Sequence, residues 1–249
     1  ASPTTEISGC SRNIPRSAAD WGQEVIADAQ AIADYVEEVY GRRCVVIPYG
    51  AEVIHPGDDR LAAVGARSQD YHLVVARFEP ENHVLDAVHA YRASTETRPL
   101  FVVGSAPYSQ WYVENVRAAA AGDPRIRLLG SIYDQELLDQ LYGNALTYIH
   151  GHSVGSTNPS LLRAMGAGAP VLGYDVEFTH EVTAEQALFW ADASQLTVLL
   201  DSVAAGGMNE TLTELSERGR ARIAEVYQWD SVTDQYEELI VRLASSRRR

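Results

Sequence analysis

Short β-rich runs alternate with amphipathic helical segments along almost the whole chain, and this alternation limits the possible folds more than any other feature. The runs predict strands at Glu24–Ala27, Cys44–Pro48, His72–Arg77, Leu100–Gly104, Ile126–Gly130, Leu146–His150, Pro170–Tyr174 and Ala187–Trp190. Between them, Ile32, Tyr35, Val36 and Val39 recur at helical spacing before Gly41, and Val84, Leu85, Val88 and Tyr91 do so after Glu81. Trp111, Val113 and Val116 mark a third helix, and Leu137, Leu138, Leu141 and Tyr142 a fourth. Further helices are expected from Ala193 to about Leu243. Strands that alternate with helices form a parallel sheet covered on both faces, with ligands at the carboxyl ends of the strands. The expected fold class is therefore α/β, a Rossmann-like parallel sheet with helices on both faces. Pro56-Gly-Asp-Asp-Arg60 reads as a linker between an initial βαβ piece and the main sheet.

The stretch from Gly151 to Pro170 carries the strongest local signal. It leaves a predicted strand, passes through a loop of small residues and enters a helix. Asn158 suits the N-cap, and Pro159 the first helical position, where a missing N–H is harmless. Gly166 and Gly168 are read as ending that helix. A helix start fed by small residues exposes backbone N–H groups and the positive end of the helix dipole, which suits a phosphate. A plain strand–loop–helix turn is the other reading.

Composition narrows the function classes. The 249 residues are 46% hydrophobic and 22% charged, as in soluble globular proteins. A net charge of −14 argues against binding to nucleic acid or anionic membranes, which needs a basic surface. All 20 cationic side chains are Arg, so any charged phosphate contact must come from a guanidinium, the better bidentate partner. Cys10 and Cys44 are too few and too scattered for a disulfide framework or a metal knuckle, and a reducing cytoplasm is expected. No apolar run approaches a membrane span, and Ala1–Cys10 is no signal peptide. The chain has no initiator Met and polar ends, so it reads as a fragment of a longer protein. No dinucleotide-binding glycine fingerprint is present, and no nucleophile–His–Asp arrangement of the hydrolase type stands out.

Several segments, taken in order, resemble the carboxyl-terminal, donor-binding half of family-4 retaining glycosyltransferases of the GT-B architecture, and most of all the bacterial rhamnosyltransferase-like subgroup. They are Val25–Ile32, Val46-Ile-Pro-Tyr-Gly50-Ala, Leu73-Val-Val-Ala-Arg77-Phe-Glu-Pro-Glu-Asn82, Phe101–Tyr108, Ile126–Asp134, Gly151–Gly168 and Tyr227-Gln-Trp229. The resemblance covers residues 24 to 240. It implies a polar start and the tail of an amino-terminal domain in residues 1–57, a nucleotide-sugar-binding domain in 58–225, and a closing helix with a frayed end in 226–249. The acceptor-binding half is absent, so the chain by itself is expected to have little or no activity.

The resemblance also implies an activity and its partners. A hexosyl or 6-deoxyhexosyl group, such as rhamnose, would pass with retention from a dTDP-, UDP- or GDP-linked donor to a cell-surface glycan or a lipid-linked acceptor. The expected setting is the cytoplasm, with peripheral membrane association through the missing half. No cofactor and no metal are expected: His150 and His152 share one strand face, as a metal pair would, but no third ligand accompanies them.

The site residues follow from the same motifs. Arg77 holds the position of the diphosphate clamp, whose departing charge must be stabilised; its other reading is a surface arginine paired with Glu79 or Glu81. Asn82 falls where most members have a Lys. Gly104 and Ser105 fit close backbone approach to the ligand, or a simple turn. Ile132 and Tyr133 sit in the loop that holds the base, with core packing the alternative for Tyr133. His152 reads as a sugar or phosphate contact. Gly155, Ser156, Thr157 and Asn158 should lie against the diphosphate, held mostly by backbone N–H groups. Arg163 is a departure: most members have there the glutamate that accepts from the ribose hydroxyls, and a guanidinium can only donate. It reaches the diphosphate, turns outward or pairs with Glu181 or Asp175, or marks an impaired donor site. A non-catalytic nucleotide-sugar-binding or protein-interaction domain derived from such an enzyme is the rival reading. GT-B-shaped epimerases would need acid/base carboxylates and a histidine that this sequence does not place.

Overall fold

A computed structural model describes residues 24–246. The polar start with Cys10, and the terminal Arg247–Arg249, lie outside the described residues. All eight predicted strands form, several of them shorter by a residue or two: β1 Val25–Ala27, β2 Cys44–Val46, β3 His72–Val75, β4 Leu100–Val103, β5 Ile126–Gly130, β6 Thr147–His150, β7 Val171–Tyr174 and β8 Leu188–Trp190. The helices are α1 Gln30–Tyr40, α2 Val84–Ala93, α3 Gln110–Ala120, α4 Gln135–Gly143, α5 Pro159–Ala167, α6 Glu177–Thr183, α7 Ala193–Ala204, α8 Asn209–Val226 and α9 Trp229–Ser246. The short α6 has no counterpart in the sequence reading. No helix among the described residues is long and apolar enough to cross a membrane.

β1 and β2 pair in parallel as a small separate sheet, and the other six strands form one parallel sheet in the order β5-β4-β3-β6-β7-β8. The chain builds outward from β3 to β5, then crosses back to start the other half at β6. Right-handed crossovers taken in opposite directions put their helices on opposite faces. One layer accordingly buries Val74, Val102 and Ile149 against Val88 of α2, Val116 of α3 and Leu200 of α7. The other buries Leu73, Phe101, Tyr148 and Val171 against Tyr142 of α4, Leu161 and Met165 of α5 and Ile223 of α8. Strand side chains alternate between the layers, as the pleat requires. Both faces are apolar, so the strands read as continuous hydrophobic runs.

The ends of α5 show how local chemistry fixes an element. Asn158 Oδ1 accepts from the amides of Ser160 (2.9 Å) and Leu161 (3.4 Å). Gly168, at φ 84°, ends the helix in the left-handed conformation. Gly166 does not end it, contrary to the sequence reading. It lies inside the helix, where a Cβ would run into the Glu52 carbonyl oxygen.

The 56–60 linker is strapped to α4. Gln140 and Asn144, one turn apart, supply the bonds: Gln140 Nε2 to Asp59 Oδ1 at 2.7 Å and Asn144 Nδ2 to the Gly57 carbonyl at 2.8 Å. Arg60 N also donates to Gln140 Oε1 at 2.8 Å.

Candidate functional site

A doubly wound sheet opens a crevice where its strand order reverses, outside the carboxyl ends of the two strands that flank the reversal. Here those strands are β3 and β6. The segments leaving them, Ala76–Asn82 and Gly151–Asn158, form the crevice walls. The β4 segment carrying Gly104 and Ser105 joins them on one side.

The two walls are stitched together by short contacts. Asn82 is 7% exposed, and both ends of its amide are engaged: Nδ2 donates to the Arg77 carbonyl (2.9 Å) and Oδ1 lies 2.7 Å from His152 Nδ1. Ser153 N donates to the Glu81 carbonyl at 2.8 Å. Gly151 lies so close to Asn82 that a Cβ would strike its carbonyl oxygen. Asn82 therefore ties the Arg77 backbone to the His152 ring. With the amide orientation set by its bond to Arg77, His152 Nδ1 must carry the hydrogen. Burial and the nearby Arg77 charge both lower the His152 pKa, so the ring is neutral and Nε2 is an acceptor. An acceptor nitrogen suits a sugar hydroxyl and repels a phosphate oxygen.

Arg77 itself reaches into solvent, its side chain 65% exposed. It donates to the Tyr108 hydroxyl at 3.3 Å and lies 3.5 Å from Glu79. The Glu79 pairing foreseen for a surface arginine is present, on a side chain that still stands at the crevice. Gly104 has φ 136°, and a Cβ there would collide with the Ala76 carbonyl oxygen. This is a close approach of backbone to backbone at the end of β3. Ser105 follows it, partly buried. Ile132 packs against the core, whereas Tyr133 is 93% exposed, which rules out core packing for that ring.

The phosphate-loop expectation is changed in one respect. The first amides of α5 are not free, because Pro159 has none and Asn158 caps the next two. The amides of Val154, Gly155, Ser156 and Thr157, just before the helix, donate to no group among the described residues. Any anion would have to be held by this loop. Its hydroxyls turn the other way: Ser156 Oγ donates to Asp28 Oδ2 at 2.6 Å, and Thr157 Oγ1 donates to the Asp28 carbonyl. Asp28 therefore places a carboxylate against the same loop.

Arg163 pairs with neither Glu181 nor Asp175. Its Nη2 lies 2.7 Å and its Nε 2.8 Å from Asp139 Oδ1, and Nη2 also donates to the Gln135 carbonyl at 3.2 Å. The two proposed partners are engaged elsewhere: Glu181 accepts from the amides of Gln30 and Ala31 at the start of α1, and Asp175 accepts from His180. The Arg163–Asp139 pair lines a cavity of about 230 Å³ together with Gly50, Glu52, Pro159 and Trp229. His150 and His152 stand 6.1 Å apart between ring centroids. Among the described residues no three His, Cys, Asp or Glu side chains come together as metal ligands would.

Sequence reasoning missed Asp28, Asp139, Tyr108 and the group formed by His83, Asp86 and Ser153. The His83–Asp86 spacing at a helix start and the G-x-S-x-G run around Ser153 were the local signals available. The other partners are distant in sequence.

No family model matches the chain, and no curated protein matches it. Solved structures do. It is similar to sucrose-phosphate synthase from Thermosynechococcus elongatus, with a TM-score of 0.77, 20% identity, and coverage of 93% of this chain and 61% of that one. A glycosyltransferase from Rickettsia africae gives a TM-score of 0.76 at 15% identity, covering 91% and 67%. Anabaena HepE in complex with UDP gives 0.75 at 18% identity, covering 92% and 65%. The chain thus spans about three fifths to two thirds of the length of these structures. What they share with it is the fold, a Rossmann-like domain of the GT-B type.

Proposed function

We propose that this chain is the donor-binding part of a retaining glycosyltransferase. It takes a hexosyl or 6-deoxyhexosyl group from a dTDP-, UDP- or GDP-linked sugar to a cell-surface glycan or lipid-linked acceptor at the cytoplasmic face of the membrane. One observation carries the reading: the reversal between β3 and β6 sets Arg77 and the open-amide loop 154–157 on the two walls of one crevice. The binding of UDP and UDP-glucose by HepE, which shares the fold, supports the choice of ligand class. In this reading the loop amides and Arg77 take up the charge of the departing diphosphate, neutral His152 accepts from a sugar hydroxyl, and the acceptor attacks on the face the diphosphate leaves. No metal is needed. The rhamnosyl assignment rests on the likeness to that subgroup alone.

One feature favours a second reading, a nucleotide-sugar-binding or partner-binding domain without catalysis. A guanidinium tied to Asp139 holds the position at which the resemblance puts the acceptor for a ribose. A thermal-shift panel of UDP, dTDP, GDP and their sugars in EDTA separates the two. At a hundredfold excess over Kd a ligand stabilises by about 2.7 kcal/mol, or roughly 5–10 °C for a chain of this size. We expect such a shift with at least one nucleotide, reduced by Arg77→Ala and increased by Arg163→Glu combined with Asp139→Asn. The Asp139 change is included because a carboxylate at position 163 would otherwise face that of Asp139. No shift with any nucleotide overturns the transferase reading, and a shift that the double variant does not increase overturns the role given to Arg163.

A further inference from the structure

His83, Asp86 and Ser153 form a hydrogen-bonded chain that the proposed transferase chemistry does not use. His83 Nδ1 lies 2.7 Å from Asp86 Oδ2, and His83 Nε2 lies 3.0 Å from Ser153 Oγ. A base within hydrogen-bond reach of a hydroxyl, and itself oriented by a carboxylate, is the arrangement that activates a serine. The ring is fixed on two further sides, stacked on Tyr174 at 4.1 Å and 14° and edge-on to Trp190 at 6.3 Å. Its backbone is in the left-handed region at φ 47°, a strained state for a residue with a Cβ.

The serine lies where such a nucleophile is useful. Gly151-His-Ser153-Val-Gly155 is a G-x-S-x-G sequence that leaves strand β6 and leads towards helix α5, in an α/β sheet. Gly151 is required by the approach of the Asn82 carbonyl, and His83 and Ser153 are both partly exposed at the crevice. The next residues carry the amides of Val154 and Gly155, which donate to nothing among the described residues and are available to an oxyanion. Ser153 Oγ also lies 3.0 Å from the Glu81 carbonyl, so its single proton has two acceptors and turns fully to His83 only when it is transferred.

We propose that Ser153 is an activated nucleophile, with His83 its general base and Asp86 the group that orients His83, acting on small activated carboxylic esters. Ser153 Oγ forms a bond to the carbonyl carbon while its proton passes to His83 Nε2. The tetrahedral intermediate collapses with cleavage of the ester C–O bond, and the leaving alcohol takes the proton from Nε2. Water, deprotonated in turn by His83, attacks the acyl-serine, releases the carboxylic acid and restores the hydroxyl. Asp86 stabilises the imidazolium in both halves.

A small alkyl fluorophosphonate tests this without a known substrate, since Ser153 Oγ displaces fluoride and stays covalently labelled. In the intact chain we expect one adduct, on the peptide carrying Ser153, and none in Ser153→Ala. His83→Asn should slow labelling at least a hundredfold, and Asp86→Asn at least tenfold. Asparagine is chosen for position 83 because it tolerates the left-handed backbone best, and unfolding midpoints of the variants are compared with wild type. Hydrolysis of p-nitrophenyl acetate should fall in parallel. The proposal is overturned if the folded wild-type chain takes no label under conditions that label a control serine hydrolase. It is also overturned if His83→Asn labels at the wild-type rate. Should His83→Asn fail to fold, wild-type labelling rates in Asp86→Asn overturn it equally.

Discussion

His150 ends β6 with 4% of its surface exposed, its Nε2 buried and without a partner among the described residues, and its Nδ1 only 3.3 Å from the Tyr148 hydroxyl. Burial, helped by nearby His152, pushes its pKa down to about 3. An unfolded histidine binds its proton near pH 6.5. Between those two values the unfolded chain carries a proton that the folded one refuses. The stability from this group is therefore complete above about pH 6.5 and is lost as pH falls towards 3. Wild-type protein should lose on the order of 3 kcal/mol from this source between pH 7 and pH 4, and His150→Gln should lose far less. Urea unfolding of both proteins at the two pH values checks this, and equal losses would refute it. At this scale part of the site was legible. Arg77 follows a strand end, and the small residues Gly155–Thr157 with the N-cap Asn158 mark the loop and the helix start that the structure has there. The partners that give His83, Ser153 and Arg163 their chemistry were not legible. They lie 70 residues away for the His83–Ser153 contact and 24 for Arg163–Asp139, and neither pairing leaves a periodic trace.

Elements were more readable than contacts. The inner strands β3, β4, β6 and β7 are buried on both faces and appear as largely apolar runs, whereas β5 at the edge keeps Arg127 exposed; turn residues between the runs punctuate them. The helix missed, α6, has seven residues, and its start at Val176 has no side-chain cap. Its buried residues, Phe178, Thr179, Val182 and Thr183, are too few to establish a period. Glycines at the ends of elements fall into two kinds in the structure. Gly122 has φ 82° with nothing within 4 Å of a Cβ, whereas Gly104 has φ 136° and the Ala76 carbonyl in the way. Gly122→Ala should cost about 1 kcal/mol, the price of left-handed backbone alone. Gly104→Ala adds a backbone collision between the ends of β3 and β4, and should cost roughly 2–4 kcal/mol. Chemical denaturation of the two variants measures the difference. Equal losses would mean that conformation, and not close approach, fixes glycine at 104.

At the scale of the whole molecule, strand order was out of reach of the sequence. The pattern announces a parallel sheet, but only tertiary pairing tells which strand lies beside β3. The relation between the small β1–β2 sheet and the rest is likewise set by distant contacts. Ile47 just after β2 is buried against Val232 and Leu239 of α9, with Val45 and Leu243 beside them. Trp229 covers Gly50, where a Cβ would meet the indole, and Ala51 N donates to the Tyr227 carbonyl at 2.6 Å. Other ties run to the main sheet through Glu181 at the start of α1 and through Asp28 at the 156–157 loop. The α9 cluster is the apolar part of this junction, and at about 1.5–3 kcal/mol for each large buried side chain it contributes roughly 5 kcal/mol. Both main layers of the six-stranded sheet are built without α9. Removing Trp229–Arg249 should therefore let β1, α1 and β2 open locally while β3 to β8 stay closed. Hydrogen exchange read by mass spectrometry should show protection lost across residues 25–46 and kept in the six strands. Loss of protection throughout would show that the small sheet and the large one unfold as a single unit, and unchanged protection in 25–46 would show that Glu181 and Asp28 hold the small sheet without α9.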